Sequence, residues 1–461
     1  MTGINIVLAG LFVCLSILAV SLVSKGNRWK ALVVVSALFY YLLIGPKIFI
    51  ILIMAGVTYT FGNIVREKKY ALPIAVGLLL VPLILFKGTN EGHHFANYRI
   101  QSLDNMDSPI WYAVFQILGL SYLTFNSISY LVDIKRNYIA PQKNFFLLLL
   151  YLIYFPSVFS GPLHRAKYLF GQFENIEITN NSITKGLRLI LWALFKNTVI
   201  AQRLFALLTL LQKSEIGGPY YILVGFLFFA YLYCNFSSFI DFFQGISQIF
   251  NIRLKDNFGN RVYLSASRQQ FWKGWHITLN EWFRDYFFFI ISKYDKSRKY
   301  SYLFLFITFL LIALWHEISI VLLIWGCLNG LWVVIEKKVS FRIRGNSRLR
   351  KPLGVVYHLT IASLLALIFI SPDLGFLYQK IFVEAAQLPQ GFMDNYLMKA
   401  SILILCIGIM DIHYYLAKNK RIDEYIGMKP RWVRWFIYMK LAMLILVFGL
   451  SGGIENYYIQ F

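Results

Sequence analysis

Residues 301–335 read SYLFLFITFLLIALWHEISIVLLIWGCLNGLWVVI. Apart from His316 and Glu317, the stretch carries no charged or imidazole side chain. Its apolar residues follow one another without alternation, so the pattern predicts two helices, 301–315 and 318–335, meeting at a His-Glu pair. In lipid every backbone N–H and C=O must be bonded within the structure, which leaves helices or closed barrels, and barrel strands alternate. Runs of the same kind recur at 4–23, 31–65 (long enough for two spans), 71–86, 110–132, 145–162, 187–211, 219–250, 353–371, 397–416 and 433–451. A span needs about 20 apolar residues, so roughly 11–13 transmembrane or re-entrant helices are expected. The fold class that follows is an all-α polytopic membrane protein.

Composition agrees. Of 461 residues, 58% are hydrophobic, 18% aromatic and only 15% charged, with a mean hydropathy of +0.59. A soluble domain carries about 25% charged residues, so an ordinary globular enzyme, a disordered chain and a nucleic-acid-binding protein are all disfavoured. The 45 basic and 22 acidic residues give +23, and the excess lies in loops between apolar runs, as loops held against anionic lipid require. Lys25, Arg28 and Lys30, then Arg66, Lys68 and Lys69, then Lys135, Arg136 and Lys143 follow successive spans. An N-terminus outside the cytoplasm puts all three clusters inside; the basic loops at 337–351 and 418–434 are expected on that side too. The first run has no basic residue before it and no small-residue cleavage site after it, which reads as a retained helix. Cys14, Cys234, Cys327 and Cys406 lie within apolar runs with no Cys-x-x-Cys pair, so neither a disulfide framework nor a zinc site is indicated.

Two segments carry polar chemistry. In the block 265–286, Phe271, Trp275, Leu279, Trp282 and Tyr286 step by helical intervals, with Arg268, Lys273, Glu281, Arg284 and Asp285 largely off that stripe. One reading is an amphipathic helix in the membrane interface with a tryptophan belt. The other is a functional site, because a histidine among aromatics and an Arg-Asp pair are costly there unless partnered. His316 ends the run from Tyr302 and the next begins at once, which places an imidazole within the membrane's thickness. Two Trp-His dipeptides, ending at His276 and His316, occur in a chain with only seven histidines. A neutral imidazole takes a proton from a hydroxyl at neutral pH and returns it to a leaving group. Neither a Gly-x-Ser-x-Gly elbow nor a His-Glu-x-x-His zinc motif is present.

Trp275-His-Ile-Thr-Leu-x-x-Trp-Phe-Arg-Asp-Tyr286, followed by Leu314-Trp-His316 on a membrane helix, resembles the membrane-bound O-acyltransferase (MBOAT) superfamily, nearest its bacterial alginate O-acetylation branch. Matching stretches occur in the same order: Thr124-Phe-Asn-Ser-Ile-Ser-Tyr-Leu-Val-Asp133, Phe155-Pro-Ser-Val-Phe-Ser-Gly-Pro162 with His164 and Arg165, Gly186 to Lys196, Asn235-Phe-Ser-Ser-Phe-x-Asp241, and the terminal Tyr457-Tyr-Ile-Gln-Phe461. The likeness covers about residues 110–335 and the extreme C-terminus. It implies one membrane domain, with N-terminal helices at 1–109, a catalytic core at 110–335 and C-terminal helices at 336–461, around a central funnel or tunnel. It also implies acyl transfer, most simply of acetyl, from a cytosolic thioester (acetyl-CoA or an acyl carrier protein) to a hydroxyl of an extracytoplasmic polysaccharide, directly or through an esterase-like partner protein. No bound cofactor is implied, and the setting would be the bacterial cytoplasmic membrane.

Carried over by motif, His316 takes the family's membrane histidine and His276 its second one, with Trp275 and Trp315 supporting them. Arg284 and Asp285 fall on the Arg-Asp-Tyr motif. The chain departs from the pattern at Glu317, where Gly is usual, at Lys273-Gly274, where two arginines are usual, and at Ser371-Pro-Asp373. In the mechanism this suggests, His316 is the general base, His276 binds the oxyanion or orients the donor, Asp285 fixes the His276 tautomer, and Lys273, Arg268 and Arg284 attract donor phosphates or, equally, lipid headgroups. For Asp133 and Asp241, gating use and a buried structural hydrogen bond both stand. At His164 and Arg165 a helix break comes first and donor contact second. His93 and His94 are expected to be solvated, and His358 and His413 to be satisfied core histidines. Two other functions stay open: D-alanyl transfer from a carrier protein toward teichoic acid, and a lipid or sugar flippase without chemistry. No motif recurs in matching positions of the two halves, which argues against an inverted-repeat transporter.

Overall fold

The computed structural model describes residues 6–88, 119–158, 162–212, 216–295, 297, 299–339, 350–386, 388, 398–418 and 420–450. Its named elements are all helical; among the described residues the one extended pairing is an isolated bridge between Phe258 and Trp275. In chain order the main helices are α1 (Ile6–Ser21), α2 (Arg28–Ile44), α3 (Ile48–Ile64), α4 (Ala71–Gly88), α5 (Leu120–Lys135), α6 (Phe145–Ile153), α7 (Ala166–Phe173), α8 (Asn180–Leu194), α9 (Gln202–Gln212), α10 (Ile222–Ile249), α11 (Arg268–Gly274), α12 (Ile277–Phe283), α13 (Ser301–His316), α14 (Ile320–Val339), α15 (Arg350–Ile370), α16 (Met398–Ala417) and α17 (Arg431–Phe448).

By length and composition, five described segments suffice to cross a membrane: Lys25–Ile64, Asn180–Leu211, Gly218–Ile249, Ile320–Lys338 and Lys351–Ile370. Shorter apolar helices accompany them, Ala71–Lys87 and Ser301–His316 included. The protein is an all-α, multi-pass membrane protein. The run at 31–65 does hold two helices. They part at Gly45, whose φ of +59 favours a residue without Cβ, and at Pro46. The run at 187–211 is one path through α8, a π-helical stretch at Phe195–Ala201, and α9. Large apolar side chains left exposed, such as Leu42, Phe49, Trp432 and Leu446, sit on α2, α3 and α17, where lipid is their natural solvent.

α10 runs through the middle of the bundle, and α8 and α15 pack along it. Its polar residues are inside: Asn235, Ser237, Gln244 and Ser247 are buried. α5, with Ser, Thr and Asn in its sequence, is likewise buried from Leu120 to Ile134. Both helices face protein, and a lipid-facing helix would not tolerate them.

The block 265–286 departs from the expected single helix. It folds as α11, a break at Trp275-His276, α12, and a π-helical turn at Arg284–Phe288. The break is held from both sides: Gly259 N–H of the preceding loop donates to the Gly274 carbonyl (2.8 Å), and the Asn280 amide of α12 donates to the carbonyls of Trp272 (2.9 Å) and Trp275 (2.6 Å). The stripe residues Phe271, Trp275, Leu279, Trp282 and Tyr286 are all buried. They form a core seam, which replaces the interfacial belt.

Candidate active site

His316 is the last residue of α13, and Glu317 leaves the helix in an extended conformation (φ −162°, ψ 149°). That conformation suits any L-residue, so Glu in place of the family's usual Gly strains nothing here. α14 starts three residues later and packs back along α13. Gly326 permits the close approach: a Cβ there would meet the Ala313 methyl at 2.6 Å and the Phe309 carbonyl oxygen at 2.8 Å. The His316 ring lies among Trp315, Phe369 and Trp325, with centroids at 4.6, 5.3 and 5.8 Å. Behind it, the buried Lys87 ammonium of α4 donates to the His316 carbonyl (2.8 Å).

His276 occupies the break between α11 and α12 with φ +47° and ψ 53°. A β-carbon in that left-handed region costs about 1–2 kcal/mol, and such strain gathers at functional sites. The backbone around it leaves little choice. Asn257 accepts from Ile277 N–H through its carbonyl (3.0 Å) and from Thr278 N–H and hydroxyl through its side chain (3.1 and 2.9 Å). The imidazole lies 5.0 Å from Phe236 and 5.9 Å from Trp315. Its Nδ1 has no hydrogen-bond partner among the described residues.

Trp315 therefore stands edge-on to both imidazoles. The two histidines, with Trp275, Arg268, Trp325 and Phe369, line a cavity of about 50 Å³. A water-sized group needs about 10–15 Å³ in this measure, so the cavity has room for an acetyl-sized fragment.

A second hollow, of about 1250 Å³, lies on the far side of an aromatic wall. Its rim includes Arg136, Arg165, Lys167, Lys293 and Lys337, with Asp133, Asp285 and Asp295. The wall runs from Tyr286 to Trp282 (5.5 Å), Trp282 stacked on Phe125 (4.1 Å), and Phe125 to Trp315 (6.2 Å). Within the hollow, Arg165 donates to Asp285 (2.8 Å) and covers the Tyr286 ring at 4.3 Å. The Tyr286 hydroxyl donates to Asp133 (2.8 Å).

The predicted site residues thus divide. His316, His276, Trp275 and Arg268 share the small cavity, and Arg165 and Asp285 the large one. Asp285 does not hold His276: its carboxylate accepts from Arg165 and from Arg284 Nε (2.9 Å). Arg268 is no phosphate-facing arginine. It is buried, donates to Asn329 (2.6 Å), and its N–H is capped by Glu336 (2.9 Å). Arg284 is half exposed beside Glu281 and Asp285, and Lys273 is exposed outside both cavities.

The remaining polar residues resolve as follows. Asp241 is a structural partner, ion-paired to the buried Lys196 (2.7 Å). His164 is also structural, accepting from Lys255 N–H (2.9 Å). His413 meets Lys440 (2.9 Å). His358 is buried against Phe271 (4.9 Å), but neither ring nitrogen has a hydrogen-bond partner among the described residues, contrary to the satisfied core histidine expected. His93, His94, Gly161 and Tyr457–Phe461 by number lie outside the described residues. Sequence reasoning missed Arg136, Lys167, Lys293 and Lys337 at the large hollow and Lys87 beside His316. Lys87 had one available signal, a lone cation ending an otherwise uncharged helix.

Residues 108–371 match the MBOAT, membrane-bound O-acyltransferase family. The chain belongs to that family. Both histidines, the aromatic wall and the lining of the large hollow fall within the matched stretch; α4 precedes it. The chain is 28% identical to a probable alginate O-acetylase of Pseudomonas aeruginosa over 68% of this chain and 62% of that protein. It is 27% identical to a peptidoglycan O-acetyltransferase of Helicobacter pylori over 49% of this chain and 48% of that one. A teichoic acid D-alanyltransferase of Bacillus subtilis is also 27% identical, over 45% of this chain and 56% of its own length. The chain thus spans between about half and 62% of the length of these curated relatives.

Proposed function

We propose that the protein is an O-acyltransferase that moves an acetyl-sized group from a cytosolic thioester to a hydroxyl on an extracytoplasmic polysaccharide, directly or by way of a partner protein. The observation that carries this reading is the small cavity lined by both imidazoles, each of which also packs against Trp315. His316 takes the proton of the incoming hydroxyl as its oxygen attacks the thioester carbonyl. The C–O bond forms, the C–S bond breaks, and the leaving thiolate recovers the proton from the imidazolium. His276, held in its left-handed turn, and Arg268 supply N–H groups to the carbonyl oxygen as it gains charge.

The large basic-rimmed hollow is the donor side. Its Arg136 and Lys337 adjoin the loops that the positive-inside rule assigns to the cytoplasm, consistent with an extracytoplasmic N-terminus and a bacterial cytoplasmic membrane. Arg165, Lys167 and Lys293 provide the charge that donor phosphates require. The acceptor follows from the relatives' own substrates: alginate and peptidoglycan are both polysaccharides.

The likeness to a teichoic acid D-alanyltransferase keeps one second reading in play, aminoacyl transfer from a carrier protein. A direct assay separates the readings. The protein is reconstituted in proteoliposomes with labelled acetyl-CoA, acetyl carrier protein or D-alanyl carrier protein, and thiol release is followed. Release of thiol with ester formation from an acetyl donor supports the proposal. Release from the D-alanyl donor alone selects the second reading. An intact thioester with all three leaves a flippase.

A further inference from the structure

α4 is apolar along its length except for Lys87 near its end. The side chain points inward, and the residue is only 6% exposed. Its ammonium donates to the His316 carbonyl (2.8 Å), lies 5.9 Å from the centre of the Trp315 ring, and feels the charge of the buried Glu317. Removing an ammonium from water costs several kcal/mol unless the surroundings return it. Here they do. The His316 carbonyl is among the last of α13, which have no donor within their own helix and form the negative end of its dipole; an aromatic face and a carboxylate complete the nest.

We propose that Lys87 is a positioning residue for His316. It ties off the last turn of α13, so that the His316 imidazole keeps one orientation toward the cavity and the Trp315 ring stays packed beside it. Glu317 is its counter-charge, which gives this residue a role where a glycine would have none. The contact joins the N-terminal helices to the site across 229 residues of sequence. Its catalytic consequence rests on the acyl-transfer reading above.

The test uses the full chain in nanodiscs, with Lys87→Met, Lys87→Arg and Glu317→Gln, and two readouts. In acetyl transfer, Lys87→Met lowers kcat at least tenfold while KM for the donor stays within twofold. Lys87→Arg, which keeps the charge and its donors, stays within threefold of the parent, and Glu317→Gln falls between the two. In protein labelled with [13Cε1]histidine, the His316 resonance, assigned by its loss in His316→Gln, is single in the parent and in Lys87→Arg but shifted or broadened in Lys87→Met. Should Lys87→Met fail to accumulate, Lys87→Gln takes its place. An unchanged kcat and unchanged resonance in the Met or Gln variant overturn the proposal, as does a loss that appears in KM alone or that Arg does not restore. If the parent transfers no acyl group, the functional reading fails by itself, and the resonance still decides whether Lys87 holds His316.

Discussion

His276 shows how much a single backbone conformation decides. A residue with a β-carbon sits where glycine would be easier, because Asn257 and Asn280 bond the chain on either side of it. Two substitutions separate the cost of the turn from the use of the ring. His276→Gly and His276→Ala both remove the imidazole and both lower turnover, by less than His316→Ala does if the role is oxyanion binding. His276→Gly is the more stable of the two by about 1 kcal/mol, since it alone relieves the left-handed strain. Thermal denaturation of the two detergent-solubilised variants reads that difference, and equal melting temperatures would mean the position is unstrained.

At the level of elements, the α13–α14 hairpin carries His316, and its geometry depends on Gly326. Gly326→Val forces the helices apart against Ala313 and Phe309. Overpacking of this kind costs about 1–3 kcal/mol. The expected result is a lower melting temperature together with at least a tenfold loss of turnover, whereas a variant with parental activity would show that the hairpin can give without moving the base. This hairpin was readable from sequence because two uncharged runs abut with only His316-Glu317 between them. The block 265–286 was readable as chemistry and misread as one helix. Helical spacing of its aromatics says that they share a face; it does not say whether the chain is interrupted, and the interruption is made by partners in the 257–259 loop and by Asn280. The same limit explains Asp285. Adjacency in the motif suggested a partnership with His276, but Asp285 lies within a π-helical turn and pairs with Arg165. Lys87 showed in the sequence only as a lone cation ending an apolar helix, because what gives it meaning is a carbonyl far away in sequence.

On the scale of the whole molecule, the fold places a small aromatic cavity and a large charged one on either side of an aromatic wall, and the chemistry is assigned to the histidines where that wall ends at Trp315. The hollow's charge should then control donor capture and leave the chemical step alone. Lys167→Glu combined with Lys337→Glu is expected to raise KM for a CoA thioester about tenfold or more with kcat little changed, because uniform binding is what is lost. The difference should shrink as ionic strength rises toward 1 M, where the Debye length falls to about 3 Å. Steady-state kinetics at two salt concentrations check both parts, and a kcat effect with constant KM would place the donor elsewhere.

The central claim is that the His316 imidazole is the base. It is tested most directly by turnover of a labelled acetyl thioester in proteoliposomes containing His316→Ala. General base catalysis is worth about 10²–10⁴-fold, so turnover is predicted to fall by at least that range while the variant inserts, accumulates and melts as the parent does. Acetyl transfer at a near-parental rate by His316→Ala would contradict the account.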